Sequence, residues 1–220
     1  MMDQWWVHAA YYSGGWSYVA AWTFWVLFSI SLHELAHGWA ALWQGDQTPR
    51  ELGHMTWNPW VHMGGFSLAM FALIGIAWGM MPTQPHRFRW GRRGWVIVAA
   101  AGPAINIVLA LITLSALALF LRFGPQEGLF AERFAMFLFT GGWLNIILAG
   151  LNLLPVPPLD GSRILSGLSY RFYRWFENPA FRQYSFFAVL AIFWLTPVGT
   201  YAVMYSEVIA MRWVWLLGGG

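Results

Sequence analysis

The sequence His33-Glu34-Leu35-Ala36-His37 lies inside an apolar stretch, residues 18–43, that is long enough to cross a membrane. Ionisable side chains are costly in hydrocarbon, so such residues inside a span are candidates for function. His33 and His37 are four residues apart and therefore lie on one face of a helix. Two histidines so placed can hold one Zn²⁺, and a glutamate beside the first, here Glu34, can serve as general base on a metal-bound water molecule.

The composition of the chain is that of an integral membrane protein. Of its 220 residues, 59% are hydrophobic and only 10% are charged, whereas soluble domains carry roughly 25% charged residues. The chain has no cysteine, so a transition-metal site must use His, Asp or Glu. Its 12 cationic side chains are all arginines, and most lie in two loops, which indicates membrane orientation and no nucleic-acid partner. We expect one membrane core over residues 1–220, with an interfacial N-terminal segment over residues 1–17.

Five apolar segments predict the membrane helices. Residues 18–43, 95–121, 134–154 and 186–209 reach the length of about 20 residues that a span requires, and residues 66–81 are marginal. The sequence therefore predicts an all-α polytopic membrane protein with a bundle of about 4–6 transmembrane helices. Residues 48–57 alternate weakly and turn signals follow them, so we expect a short β-strand or hairpin after the helix that carries His33. Residues 160–185 are expected to form a cytoplasmic interfacial helix.

The arginine distribution gives the expected orientation. Residues 87–93 carry four arginines, and residues 163–182 carry four more, so both stretches should face the cytoplasm. If the two histidines lie at the depth of the end of segment 134–154, segment 18–43 runs inward and the site lies toward the cytoplasmic side. Segment 66–81 would then leave the membrane on the side where it entered, although the sequence leaves open whether it spans.

Asp160 is the best candidate for a third metal ligand, because catalytic zinc needs three protein ligands and an open position. It follows Pro155, Pro157 and Pro158, which end the preceding helix and expose backbone. Exposed backbone is tolerated in a membrane only around a cavity or inside protein. Gly161 indicates a close backbone approach. From spacing alone, a zinc ligand and an N-cap of the following helix stay equally open for Asp160.

Four motifs in order resemble the site-2 protease family of intramembrane zinc metalloproteases. They are HELAH at residues 33–37, Asn58-Pro59-x-x-His62, Ala101-Gly102-Pro103-x-x-Asn106 and NLLPVPPLDG at residues 152–161. The resemblance covers residues 29–165 and is closest to the small bacterial members without an appended PDZ or CBS domain. It implies that His33, His37 and Asp160 bind one Zn²⁺ per chain. Glu34 would be the general base, and Asn106 a catalytic residue that donates a hydrogen bond to the developing oxyanion.

The resemblance also implies an activity and a location. The activity would be hydrolysis, by zinc-activated water, of a peptide bond within or next to the transmembrane segment of a single-span protein substrate in the bacterial plasma membrane. Two alternatives are a membrane zinc hydrolase of a small amphiphile, with the same ligands, and a non-enzymatic metal-binding membrane protein. The substrate, the cleavage site, regulation and gating, and the oligomeric state are not encoded in these motifs.

Two further histidines follow the HELAH helix closely enough to reach a cleft. His54 and His62 could have a role in the site, or could be satisfied by backbone carbonyls or water. The sequence leaves the roles of both residues open.

Overall fold

The computed structural model describes residues 5–218, and these form an almost entirely helical chain. Its helices are α1 (Trp6–Trp43), α2 (Thr48–Glu51), α3 (Pro59–Ile74), α4 (Gly91–Phe123), α5 (Leu129–Asn152), α6 (Asp160–Leu168), α7 (Tyr170–Phe176), α8 (Pro179–Leu195) and α9 (Val198–Gly218), with a 3₁₀ turn at Pro85–Arg87. The predicted all-α class is confirmed for the described residues.

Three helices, α1, α4 and α5, are long and apolar enough to cross a membrane. Helices α8 and α9 together form a fourth candidate, bent by 70° where Pro197 interrupts the predicted segment 186–209. Helix α3 has 16 residues, fewer than the about 17 that a span needs. The chain is therefore an integral membrane protein whose described residues hold three candidate spans, or four with the bent pair, at or below the lower limit of the predicted bundle.

Two adjacent glycines in α5 let the three long helices approach closely. A Cβ atom at Gly141 would collide with the indole of Trp25 in α1, and one at Gly142 with the side chain of Leu114 in α4. The indole Nε1 of Trp25 donates to the carbonyl oxygen of Phe137 in α5 at 2.8 Å. Helices in a membrane associate through such close contacts and hydrogen bonds. Helix α5 is therefore held against both α1 and α4.

An extended segment returns along α3 after Gly75, which has a left-handed conformation with φ of 77°, ends that helix. We call residues 76–84 the return segment. The hydroxyl of Ser67 in α3 donates to the carbonyl oxygen of Trp78 at 2.7 Å and accepts from its amide at 2.9 Å. The amide of Met80 donates to the carbonyl oxygen of His62 at 2.9 Å. The chain thus comes back to the first turns of α3, the path expected of a segment that leaves a membrane on the side where it entered.

A buried carboxylate attaches the return segment to the end of α1. Asp46 is fully buried and accepts hydrogen bonds from the amide of Thr48 at 3.0 Å and from the amide of Gln84 at 2.7 Å. Close by, the carbonyl oxygen of buried Gln44 accepts from the amide of Arg89 at 2.7 Å. The chain that leads into α4 is therefore fixed to the end of the helix that carries the two histidines.

The predicted β-strand or hairpin over residues 48–57 is wrong, because the described residues contain no strand and α2 begins at Thr48. Pro49 lies in the first turn of α2, where a missing N–H is tolerated. The side chain of Asp46 accepts from the amide of Thr48, and Gly53, with φ of 71°, follows α2 in a left-handed turn. A short alternation of apolar and polar residues is weaker than these local helix signals.

The predicted single helix over residues 160–185 is also wrong, since three helices occupy this stretch. Helix α6 ends at Leu168, and the backbone of the next residue, Ser169, is extended with φ of −138° and ψ of 126°. Helix α8 begins at Pro179, and the side chain of Asn178 caps its first amides. A proline favours a helix start and disfavours helical conformation in the preceding residue. The cytoplasmic, interfacial position of this stretch stays a prediction.

The segment over residues 1–17 forms, from Trp6 onward, the first part of α1. Gly14 and Gly15 interrupt this helix with non-helical dihedral angles, and residues 1–4 lie outside the described part of the chain. The expected position of this segment along the bilayer surface stays a prediction, as does the single domain over residues 1–220.

Candidate metal centre

Helix α1 and the first residue of α6 bring His33, His37 and Asp160 together. Nε2 of His33 lies 3.0 Å from Nε2 of His37 and 3.0 Å from Oδ2 of Asp160. Nε2 of His37 lies 3.2 Å from the same oxygen, and all three side chains are buried. Within residues 5–218, this is the one group of three or more His, Asp or Glu side chains whose ligand atoms lie close enough together to hold a metal ion. The structure thus brings together the three residues that the sequence predicts as ligands.

Hydrogen bonds on the far side of each imidazole direct the Nε2 lone pairs toward one point. Nδ1 of His37 lies 2.7 Å from the carbonyl oxygen of Val98, which can only accept, so Nδ1 carries the ring hydrogen. Nδ1 of His33 lies 2.6 Å from Oδ1 of Asn106, which is also an acceptor. In a neutral imidazole the other nitrogen then has the free lone pair. The two Nε2 atoms therefore face each other as acceptors.

Acceptor atoms that converge without a hydrogen between them are suited to a cation. Zinc bonds of about 2.0 Å in tetrahedral geometry separate two ligand atoms by about 3.3 Å, close to the separations among His33, His37 and Asp160. Gly102 of α4 leaves room at this point, since a Cβ atom there would lie 2.5 Å from Nε2 of His37 and would also collide with His33. These three residues therefore fit a zinc ion with one position left open.

Asp160 lies in the group that could hold a metal ion and not at the cap position of α6. Leu159 occupies the N-cap position of α6, and no side chain caps that helix. Oδ2 of Asp160 lies 3.0 Å from Nε2 of His33 and 3.2 Å from Nε2 of His37. A Cβ atom at Gly161 would collide with carbonyl oxygens at the end of α5. The glycine thus lets α6 begin close to α5, with a buried carboxylate at its first residue.

Glu34 lies on α1 beneath the return segment and is 7% exposed. A Cβ atom at Gly79 would lie 2.5 Å from both Cγ and Oε1 of Glu34. One turn later, a Cβ atom at Gly38 would lie 2.6 Å from Sδ of Met55 and 3.1 Å from Cε of Met81. The return segment and the loop after α2 therefore cover the face of α1 that carries the carboxylate.

A fully buried polar network lies behind His33. Asn106 accepts from His33 through Oδ1 and donates from Nδ2 to Oδ1 of Asn145 in α5, at 2.8 Å. Nδ2 of Asn145 donates to Oγ of Ser29 at 2.9 Å and to the carbonyl oxygen of Gly141 at 2.8 Å. No sequence motif singled out Asn145. The signal that could have found it is the one that marks His33, a polar residue inside an apolar segment.

His54 and His62 are not part of the metal group. Nδ1 of His54 lies 3.0 Å from the carbonyl oxygen of Leu52 in its own loop. Nε2 of His62 lies 2.7 Å from the carbonyl oxygen of Thr56, and the backbone of His62 binds Met80. In this structure His62 therefore supports the return segment, and His54 makes a local turn contact.

Known proteins match the part of the chain that contains this centre. The sequence model described as Peptidase family M50 matches residues 21–131 and 125–196. "Putative zinc metalloprotease YwhC" of Bacillus subtilis (strain 168) is 35% identical over 181 residues, which are 81% of this chain and 81% of that protein. "Putative zinc metalloprotease Rip2" of Mycolicibacterium smegmatis is 33% identical over 150 residues, which are 65% of this chain and 53% of that protein. No solved structure gives a significant match.

Proposed function

Because the chain belongs to peptidase family M50, as its resemblance to the site-2 proteases implies, we propose that it is an intramembrane zinc metalloprotease. Its reaction is the hydrolysis of a peptide bond within or next to the transmembrane segment of a membrane protein. The observation that carries this proposal is the buried group of His33, His37 and Asp160, with two of its members on a helix that is long and apolar enough to span.

Zinc is the metal that suits this donor set. Two neutral imidazoles and one carboxylate are ligands typical of catalytic zinc, and the relatives compared above are named as zinc metalloproteases. His33, His37 and Asp160 would hold the ion. When bound, zinc would lower the pKa of a water molecule toward about 7 and polarise the scissile carbonyl.

Glu34 is the proposed general base. It is adjacent to His33 in the sequence, and its carboxylate is almost closed off from solvent. A carboxylate beside the reacting groups accepts a proton from the attacking water and passes it to the leaving amine nitrogen. The neighbouring return segment would hold this carboxylate in place and exclude other water molecules.

Asn106 is proposed to orient His33 rather than to donate to the oxyanion. Its side chain is fully buried, its oxygen accepts from His33, and its nitrogen donates to Asn145. A side chain in this position acts on the substrate only through the histidine. Partners behind a metal-bound histidine fix its tautomer and its ring orientation.

A single-span membrane protein is the proposed substrate partner. A transmembrane helix has all of its backbone groups paired internally, so the substrate has to unwind before its carbonyl can be attacked. One helix that is not packed into a larger bundle can approach the site from the bilayer without first breaking contacts with neighbouring helices. The return segment and the loop after α2, which cover the face of α1 that carries Glu34, have to move aside at the same time.

The site is proposed to face the cytoplasm of a bacterium. Arg87 and Arg89 precede α4 at the end of the bundle where α1 ends, and Arg163 lies in α6 just after Asp160. The guanidinium of Arg92 donates to the carbonyl oxygen of Ser166 at 2.8 Å, so the two arginine-rich stretches are neighbours. Arginines of short loops collect on the cytoplasmic side of the plasma membrane.

Co-expression of candidate single-span proteins with the wild type and with Glu34→Gln tests the proposal. We expect cleavage with the wild type only, while both proteins purify with about one tightly bound zinc ion per chain. Glu51→Gln, the same change at a carboxylate that is 55% exposed, should leave cleavage and zinc content unchanged.

Three outcomes would contradict this proposal. Undiminished cleavage by Glu34→Gln would remove Glu34 as the base. A wild type without zinc would exclude a zinc enzyme. A zinc-loaded wild type that hydrolyses only small amphiphiles would exclude the protein substrate.

A further inference from the structure

We propose that Asn145 is a positioning residue, which acts through Asn106 to hold His33 in the tautomer that a metal ligand requires. The inference rests on the proposed function, since it concerns the same site. Its starting point is the carbonyl oxygen of Gly141, which can only accept a hydrogen bond.

The hydrogen bonds from Gly141 to His33 have a fixed direction. The carbonyl oxygen of Gly141 can only accept, so Asn145 presents Nδ2 to it at 2.8 Å. The other end of that amide, Oδ1, then faces Asn106, which donates from its own Nδ2 at 2.8 Å. Asn106 therefore presents Oδ1 to Nδ1 of His33 at 2.6 Å. The ring hydrogen lies on Nδ1, and the lone pair lies on Nε2.

The opposite orientation of the Asn106 amide would disable the ligand. An Asn106 turned by half a rotation presents its NH₂ group to His33, which would then accept at Nδ1 and carry its hydrogen at Nε2. That hydrogen would point into the space shared with His37 and Asp160. A nitrogen must have a free lone pair to bind a metal, so Asn145 excludes the tautomer that cannot bind.

We call the hydrogen bonds that link Gly141, Asn145, Asn106 and His33 the relay. Burial strengthens its preference for one tautomer of His33. Asn106, Asn145 and Ser29 are each 0% exposed, so water does not compete for their hydrogen bonds. Ser29 and His33 are four residues apart on one face of α1. Asn145 binds the first of them at 2.9 Å, and Asn106 binds the second. The two asparagines thus connect α5 and α4 to successive turns of the same helix.

The second histidine supports this interpretation. Nδ1 of His37 reaches a backbone carbonyl, that of Val98, directly at 2.7 Å. The carbonyl oxygen of Gly141 fixes the tautomer of His33 in the same way, but through the side chains of Asn145 and Asn106. Both ligands on α1 are therefore oriented by a main-chain oxygen of a neighbouring helix.

A double-mutant cycle on the full-length protein in detergent tests the relay. A carboxylate at position 106 has two equivalent acceptor oxygens and needs no orienting partner. Asn145→Leu should therefore weaken binding of Zn²⁺ by about 10–100-fold in the wild-type background, and should have no further effect in the Asn106→Asp background.

Zinc affinity is measured by competition with a chelating dye, and the geometry of the site by the absorption spectrum of bound Co²⁺. Thr140→Val is the matched control, because Thr140 is fully buried in α5 but bonds only to Met136 of its own helix.

Three outcomes overturn the relay. Wild-type zinc affinity in Asn145→Leu excludes it, and an equal loss of affinity in both backgrounds assigns Asn145 to packing. A wild type that binds no zinc overturns the inference together with the proposed function, whereas a zinc-binding wild type that cleaves nothing overturns only the proposed function.

A second measurement needs no variant of Asn145. NMR of the metal-free wild type, with histidine labelled at its ring nitrogens and His33 assigned from His33→Gln, reports the tautomer directly. Hydrogen on Nδ1 of His33 supports the relay, and hydrogen on Nε2 overturns it.

Discussion

Gly79 lies directly against the carboxylate of Glu34, so close that a methyl group at position 79 would be 2.5 Å from Oε1. Gly79 belongs to the return segment, which is held at Met80 by the carbonyl oxygen of His62 and at Gln84 by Asp46. The position of the proposed base is therefore linked to a segment outside its own helix.

Gly79→Ala is expected to reduce cleavage by at least about tenfold while zinc content stays at the wild-type level. The methyl group has to displace either the carboxylate of Glu34 or the return segment, and a displacement of about 1 Å costs up to about 100-fold in rate. Cleavage of a co-expressed substrate and zinc content are the two measurements. Gly65→Ala is the matched control, because a Cβ atom there makes an ordinary contact of 3.6 Å with Trp60. Full activity of Gly79→Ala would show that the two residues are not in contact.

Gly102→Ala is expected to abolish zinc binding in a folded protein. The new Cβ atom would lie 2.5 Å from Nε2 of His37, in the space between the two imidazoles. Elemental analysis gives the zinc content, and circular dichroism checks that the helices are retained. Gly150→Ala is the control, since no other group lies within 4 Å of a Cβ atom there, and alanine favours a helix by about 1 kcal/mol. A zinc-loaded Gly102→Ala protein would place the metal elsewhere.

Asp46→Ala is expected to destabilise the protein by on the order of 3 kcal/mol, because the amides of Thr48 and Gln84 lose a buried, charged acceptor. The free energy of unfolding in mixed detergent micelles measures this loss. Glu51→Ala, at a side chain that is 55% exposed and paired with Arg87 at 2.9 Å, should cost about 1 kcal/mol or less. Equal effects of the two substitutions would contradict a special role for the buried carboxylate.

Zinc removal is expected to lower the thermal midpoint of unfolding. A ligand that binds only the native state stabilises it by about 2.7 kcal/mol at a free concentration of 100 times its Kd. Thermal unfolding with and without a chelator measures this difference. Asp160→Ala should unfold at the same temperature under both conditions, and a zinc-dependent shift in that variant would remove Asp160 from the ligand set.

Local geometry explains why much of the site is predictable from the sequence. His33 and His37 meet because a helix places residues four apart on one face, and apolar segments identify the helix that carries them. Asp160 is 127 residues from His33, and spacing alone leaves it equally open as a helix cap. Only the order of the four motifs favours a zinc ligand at Asp160. This assignment therefore depends on the resemblance to a family and not on the local sequence.

Tertiary packing explains what the sequence does not predict. The bond between Asn106 and Asn145 depends on how α4 and α5 are rotated about their axes, which hydrophobic pattern does not specify. The contact between Gly79 and Glu34 depends on a chain reversal at Gly75 and on the anchor at Asp46. The first four residues of the strand expected over residues 48–57 form a helix, because Pro49 and the hydrogen bond from the amide of Thr48 to Asp46 outweigh a short alternation.

The separation of 127 residues between His33 and Asp160 has a consequence for biosynthesis. Helices α4 and α5 lie between these residues in the chain, so the metal site does not exist until they have been inserted and α6 has been made. A nascent chain in the insertion machinery therefore carries the HELAH helix without hydrolytic activity. On the proposed function, the cell is exposed to the protease only after Asp160 has been made and has joined the two histidines, and no separate inhibitor is required before that point.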